Sequence, residues 1–224
     1  MTRHHNGSVW GHDWAVDFLN TSMANNRNRH AYLITGTNNI GKNQLAHAFA
    51  MALNCTHEDK TIRPCGECRS CKLIYSQNHP DMLYSQRDER TGRLKIDALR
   101  DVMRLLALKP YDSRYRVAIF DGFDHAAPKA QDALLKTLEE PAPHAVLILL
   151  AESNENIMPT ILSRCQVIPL RPVPQDEVKA FLQMHGADEE RANLLGRLSS
   201  GRMGWALNAL QDEEVMIERD DMLN

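Results

Sequence analysis

Three groups of residues have types and spacings that could do chemistry. The first is Gly36-Thr-Asn-Asn-Ile-Gly41-Lys42-Asn43, which has the spacing GxxxxGK. Glycines let backbone N–H groups turn inward around phosphates, a helix N-terminus adds the positive end of its dipole, and Lys42 would reach terminal phosphates. The motif requires a strand before it and a helix after it. Ala31 to Thr35 reads as a buried strand, and Gln44 to Leu53 reads as a helix with Leu45, Ala48, Phe49 and Ala52 on one stripe. The last position departs from the pattern, because Asn43 stands where a Ser or Thr hydroxyl holds Mg²⁺. A P-loop is therefore expected, against the plainer reading of a glycine turn with no ligand, but tight binding of Mg-ATP is doubtful.

The second group is Cys55, Cys65, Cys68 and Cys71, four of the five cysteines in the chain. Two consecutive CxxC steps present thiolates from a tight turn at the ~2.3 Å that tetrahedral zinc requires, and Cys55 would close the sphere. Four thiolates leave no open position for water, so the expected zinc is structural. His57 and His79 are weaker replacement ligands, and four free thiols is the bland alternative. The third group begins at Asp121, which ends the apolar run Val117 to Phe120. At the tip of a strand beside a P-loop it is where an NTPase holds Mg²⁺. Gly122 follows, where an ATPase would carry a glutamate to polarise the attacking water; Asp124 could substitute only if the strand tip were rearranged.

Those groups need elements to position them. A helix is expected from about Asp13 to Asn25, with Trp10 and Trp14 as core anchors; Trp10 could also lie in an adenine pocket. His79-Pro80-Asp81 leads into a strand, and a polar turn RDERTG follows. Lys95 to Leu108 has Ile96, Leu99, Val102, Met103, Leu106 and Ala107 at helical spacing. Pro128 to Glu140 is a helix with proline in its first turn, Ala133, Leu134 and Leu138 as its buried face, and Lys136, Glu139 and Glu140 outward. His144 to Ala151 reads as a central strand ending at Glu152, a carboxylate that would repel a triphosphate. Met158 to Cys165 reads as a helix carrying Arg164, and Gln166 to Leu170 as a short strand. Beyond Arg171-Pro172, short helices over 178–185, 189–198 and 203–210 suggest a small helical unit, and the acidic tail begins another helix.

With 224 residues there is room for one sizeable domain and a smaller one. Composition is that of a soluble protein, at 43% hydrophobic and 25% charged. The run Ala145 to Ala151 is far short of the ~20 residues that span a bilayer, and the first residues hold no apolar signal segment, so the expectation is a cytoplasmic protein without a membrane partner. A net charge of −3 argues against strong autonomous binding to a nucleic-acid backbone.

In this order and spacing, GTNNIGKN at 36–43, the four cysteines, HPD at 79–81, ALLKTLEEP at 133–141 and PTILSRCQ at 159–166 resemble the delta-prime subunits of bacterial DNA polymerase III clamp loaders, an AAA+ family. The resemblance covers roughly residues 9–210. It implies an α/β fold with a parallel sheet: an AAA+ P-loop domain over 1–170 with a zinc module at about 55–75, a helical lid over 171–212, and at 213–224 the start of a collar domain. It implies a rigid stator that does not itself hydrolyse ATP. Arg164, flanked by Ser163 and Cys165, would act in trans as an arginine finger in the ATP site of a neighbouring motor subunit. The implied partners are gamma/tau and delta subunits and, through the assembly, the sliding clamp and primed DNA, within the DNA polymerase III holoenzyme. An active lid carries arginine in a GxxRxAL pattern; here Gly201-Arg-Met-Gly204-Trp-Ala-Leu207 puts Gly204 at that position, with Arg202 two residues away. Two other readings stay open: a motor-type ATPase using Lys42 and Asp121, and a zinc-dependent nucleic-acid module built on 55–71.

Overall fold

A computed structural model of the chain describes residues 9–85 and 94–212. The polar turn 87–92 and the acidic tail from 213 lie outside them. Five strands, β1 (Ala31–Thr35), β2 (Met82–Ser85), β3 (Arg116–Phe120), β4 (Ala145–Ala151) and β5 (Gln166–Pro169), form one sheet in the order β2-β3-β4-β1-β5 with every pair parallel. A parallel sheet must be covered on both faces, and the three middle strands are buried along their full length.

One face is covered by α1 (Asp13–Ala24), α2 (Lys42–Asn54) and α3 (Arg69–Tyr75), which meet Tyr32, Ile34, Ile119 and Ile148 in a shared core. The other face is covered by α4 (Ile96–Leu106), α5 (Pro128–Glu139) and the single turn α6 (Pro159–Leu162), against Leu33, Phe120, Leu147 and Leu149. Three further helices, α7 (Gln175–Met184), α8 (Glu189–Leu198) and α9 (Met203–Gln211), enclose a third cluster around Val178, Leu182, Leu195 and Trp205. No helix among the described residues is long and apolar enough to cross a membrane.

Several expectations need correction. Trp14 is 47% exposed and not a core anchor, because α1 buries Ala15 and Leu19 and turns the neighbouring position away from the sheet. Trp10 does reach a core, as an edge-on neighbour of Phe181 with ring centroids 5.3 Å apart. The fourfold repeat in α5 buries Ala130, Leu134 and Leu138, leaving Ala133 only partly covered, and Ala107 lies beyond the end of α4 and is exposed. The expected helix 158–165 is one turn long; the chain must already be extended by Gln166 to pair with Tyr32.

Asp81 ties the sheet edge together. It is fully buried, receives Nε and Nη2 of Arg116 at 3.2 and 2.9 Å, and accepts the N–H groups of Tyr111, Asp112 and Ser113 and the Ser113 hydroxyl. Burial opposes its charge, but the backbone donors, Arg116 and Ser113 outweigh that and hold the carboxyl well below the usual range. A folded-state pKa below the unfolded value contributes stability that is present above about pH 4 and is lost as pH falls further. Asp81→Ala leaves Arg116 buried without its partner and is expected to destabilise the fold by roughly 3–5 kcal/mol. Urea denaturation at pH 7 and about pH 2 measures both effects, the difference between the two proteins narrowing at the lower pH.

Candidate nucleotide site and arginine finger

The tips of β1, β3 and β4 lie side by side, which brings the P-loop, Asp121 and Glu152 to the carboxyl edge of the sheet, where ligands of parallel sheets bind. The loop itself is closed. α2 begins at Lys42, two residues earlier than the sequence pattern indicates, and Lys42 is 8% exposed. Its Nζ donates to the carbonyls of Gly36 at 2.5 Å and Thr37 at 2.9 Å. Asn38 Nδ2 donates to Glu152 Oε1 at 2.7 Å, so the carboxylate at the strand end tethers the loop. His12, 1% exposed, bonds through Nε2 to the Ile40 carbonyl at 2.9 Å, and burial lowers its pKa, which keeps the ring a neutral donor there. Gly41 takes φ 117°, a value that side-chain-bearing residues rarely adopt, with the His12 ring alongside.

The helical unit sits directly on this loop. The N–H of Gly204, in the first turn of α9, donates to the Asn39 carbonyl at 2.8 Å. A Cβ at Gly204 would lie 2.9 Å from that oxygen, so a side chain at this position fits only if the backbone of the loop or of α9 shifts. Arg202 is held over the Trp205 ring at 5.5 Å and bonds to the Ser199 carbonyl. Asp121 follows β3 and is half-buried; Asp124 is turned toward the Glu152 amide, which donates to its Oδ2 at 3.2 Å.

Arg164 lies elsewhere, just past α6. Its side chain is 36% exposed, with Nη2 on Glu139 Oε1 at 2.9 Å and Nη1 on the Thr160 carbonyl at 2.9 Å. Glu139 is itself 53% exposed, so water competes for both partners and the pair is easily exchanged. Ser163 Oγ donates to Thr160, and burial pushes the Cys165 thiol up to about 12, leaving it a neutral packing group rather than a nucleophile. Gln131 positions this segment: it is 2% exposed, donates to the Ala126 and Asn156 carbonyls and accepts the Met158 N–H. Sequence spacing marked neither Gln131 nor His12, since each works through one long-range contact.

Sγ atoms of Cys55, Cys65, Cys68 and Cys71 all lie within 4.8 Å of one another, with Cys55 and Cys68 4.0 Å apart. A tetrahedral zinc with ~2.3 Å bonds spaces its sulfurs by about 3.8 Å, so the four residues fit the ion. The turn is built for thiolates: the Cys68 N–H points at Cys65 Sγ and the Cys71 N–H at Cys68 Sγ. Burial disfavours a Cys68 thiolate, yet the N–H groups of Cys71 and Thr56 prevail and draw it down to about 6. Cys71 and Cys55 move up, chiefly by burial. Neither His57, bonded to the Asp59 backbone, nor His79, beside Ser70 and the Asp81 amide, joins the cluster.

Glycine in a helix ordinarily gives way to alanine with a gain of up to ~1 kcal/mol. At Gly204 the Cβ meets backbone, so the sign should reverse: Gly204→Ala is expected to lose ~1 kcal/mol or more. Hydrogen exchange at residues 39–41 and 203–206, together with chemical denaturation, reads this contact.

Comparison with known proteins places the chain. Residues 11–174 match the family model described as DNA polymerase III, delta subunit. Subunit delta' of Haemophilus influenzae is 33% identical over 82% of this chain and 55% of its own length, and that of Bacillus subtilis 31% identical over 83% and 55%. Subunit tau/gamma of H. influenzae is 36% identical over 78% of this chain and 25% of its own length. The chain thus spans between a quarter and just over half of these relatives. Its fold resembles a gamma subunit-related protein of DNA polymerase III from Thermotoga maritima, with TM-score 0.58 and 20% identity over 86% of this chain and 57% of that one. It also resembles the RuvB Holliday junction branch migration motor of T. maritima, with TM-score 0.59 and 12% identity over 95% and 64%. The five-stranded parallel sheet with helices on both faces is a fold shared with these neighbours. The chain belongs to the DNA polymerase III, delta subunit family of clamp-loader proteins, with delta-prime subunits among its relatives.

Proposed function

We propose that the chain is a non-hydrolysing, delta-prime-type subunit of a cytoplasmic clamp loader, which lends Arg164 to the ATP site of a neighbouring gamma/tau-type subunit while a sliding clamp is placed on primed DNA. The observation that carries this reading is that the P-loop lysine is spent on its own loop. A triphosphate would have to displace two carbonyls from Lys42, release Asn38 from Glu152 and then settle beside that carboxylate. Each charge-assisted hydrogen bond is worth ~1.5–3 kcal/mol, so the exchange is uphill before any contact is gained. The missing hydroxyl at Asn43, the missing acid at Gly122 and the blocked position at Gly204 add to it.

Arg164 has the opposite character. Its guanidinium never deprotonates, and its charged partner among the described residues is an exposed carboxylate that a more highly charged triphosphate on a neighbouring subunit would replace. In this reading residues 1–170 are the AAA+ module and 171–212 the lid that rests on the loop. The four cysteines hold a structural zinc that joins the end of α2 to α3.

In a reconstituted loader, Arg164→Ala is expected to lower clamp- and DNA-stimulated ATPase at the neighbouring site by ~10³ while Lys42→Ala leaves it unchanged. Turnover by this chain alone that Lys42→Ala abolishes would instead establish the motor-type reading. Metal analysis is expected to find one zinc per chain, and Cys68→Ser to lose it along with several degrees of Tm, because binding free energy of a structural zinc is folding free energy.

A further inference from the structure

A cavity of about 470 Å³ opens between α2, α3 and the ends of β2 and β3. Three buried polar atoms that line it have no hydrogen-bond partner among the described residues: His47 Nε2, Tyr84 Oη and Ser85 Oγ. Ser85 is 4% exposed, so its hydroxyl is not satisfied by open solvent. Unpaired buried polar groups are uncommon and destabilising, and three around one cavity point to something that pairs with them. Beside them stand the Asp121 carboxylate and the Asn43 carboxamide.

The lining chemistry selects the ligand. Among the described residues no lysine or arginine lines the cavity, and one carboxylate does, so its charge rejects a phosphate and favours a cation. The walls are aromatic: the His47 and Tyr84 rings stack with centroids 5.6 Å apart and planes at 19°, and Tyr75, 74% exposed, stands at the mouth. His47 Nδ1 donates to the Asn43 carbonyl at 2.8 Å, which leaves Nε2 facing the cavity. Burial pushes Tyr84 up to about 12, so its hydroxyl stays neutral. An ammonium would offer three donors from one point. A guanidinium offers five in a plane, able to stack on an aromatic face while reaching acceptors placed around it.

We propose that this cavity binds a guanidinium group, presented by an arginine side chain of a protein partner or by a small arginine-like molecule, with Asp121, His47, Tyr84 and Ser85 as acceptors. The inference goes beyond the function proposed above and does not depend on it.

The test is an NMR titration of the full chain with N-acetyl-arginine amide, the isosteric but uncharged citrulline derivative, the lysine derivative and adenosine. Arginine amide is expected to perturb the His47, Tyr84 and Ser85 resonances, with citrulline and lysine at least tenfold weaker. Asp121→Asn should lower arginine affinity about tenfold, and Tyr84→Phe, which keeps the ring in place, severalfold; unchanged thermal unfolding separates either loss from misfolding. If an arginine-bearing peptide binds much more tightly than the amide, the source is a partner protein; equal affinities indicate a small molecule. Citrulline or adenosine binding as well as arginine, or no arginine-dependent change at these residues, overturns the proposal.

Discussion

A lysine ammonium buried at the start of a helix must be neutralised by something, and in this fold the nature of that something decides what the molecule can do. In a working P-loop the partner is phosphate. Here Lys42 uses carbonyls of Gly36 and Thr37, groups that otherwise face outward from a phosphate cradle. The substitution is self-consistent along the loop: Asn38 reaches Glu152, the Ile40 carbonyl accepts His12, and the Asn39 carbonyl accepts Gly204. Four successive loop residues thus have partners from four different parts of the chain, β4's end, α9, the segment before α1 and α2 itself. A loop held this way behaves as a packing element, and it explains why α9 can lie against it without a side chain in between.

The same logic separates the two cations that carry the functional argument. Lys42 is nearly inaccessible and its acceptors belong to its own turn; Arg164 is a third exposed and its carboxylate partner is more exposed still. An interaction exposed on both sides contributes little to stability, so no folding free energy is lost if Arg164 changes partner. The parts around it are not loose, however. Gln131 pins the Ala126 turn, the Asn156 turn and the start of α6 together through three hydrogen bonds, and Ile161 is fully buried. The geometry is a rigid base with an exchangeable tip, which is what delivery of a charge across an interface demands.

Periodicity and turn chemistry made most of the scaffold legible before any coordinates. β1 and α8 fall at the expected bounds, β3 and β4 within a residue, and the cysteine spacing anticipates a cluster whose four sulfurs do converge. These features are local, so a short window of sequence contains their cause. The errors have physical reasons as well. Trp14 looked like core because tryptophan is large and apolar, but the stripe of α1 is set by Ala15 and Leu19. α6 looked twice its length because nothing in Ser163-Arg164-Cys165 stops a helix; the stop comes from β5 pairing with β1, a constraint from another part of the chain.

Long-range partners were the illegible part. Asp81 could be read only as one letter of HPD, yet it gathers a buried arginine and a three-residue turn some thirty positions away, fixing where β3 begins. Glu152 could be read as hostile to a triphosphate, but not as the anchor of the Asn38 carboxamide. Gly204 could be read as standing where a lid arginine is expected, but not as a residue whose Cβ would meet the backbone of Asn39. Freeing Lys42 for another partner would take its turning from the Gly36 and Thr37 carbonyls, with Asn38 held meanwhile by Glu152. A hydroxyl at position 43 is a matter of one residue, whereas the contacts that hold this loop are a property of packing between distant segments.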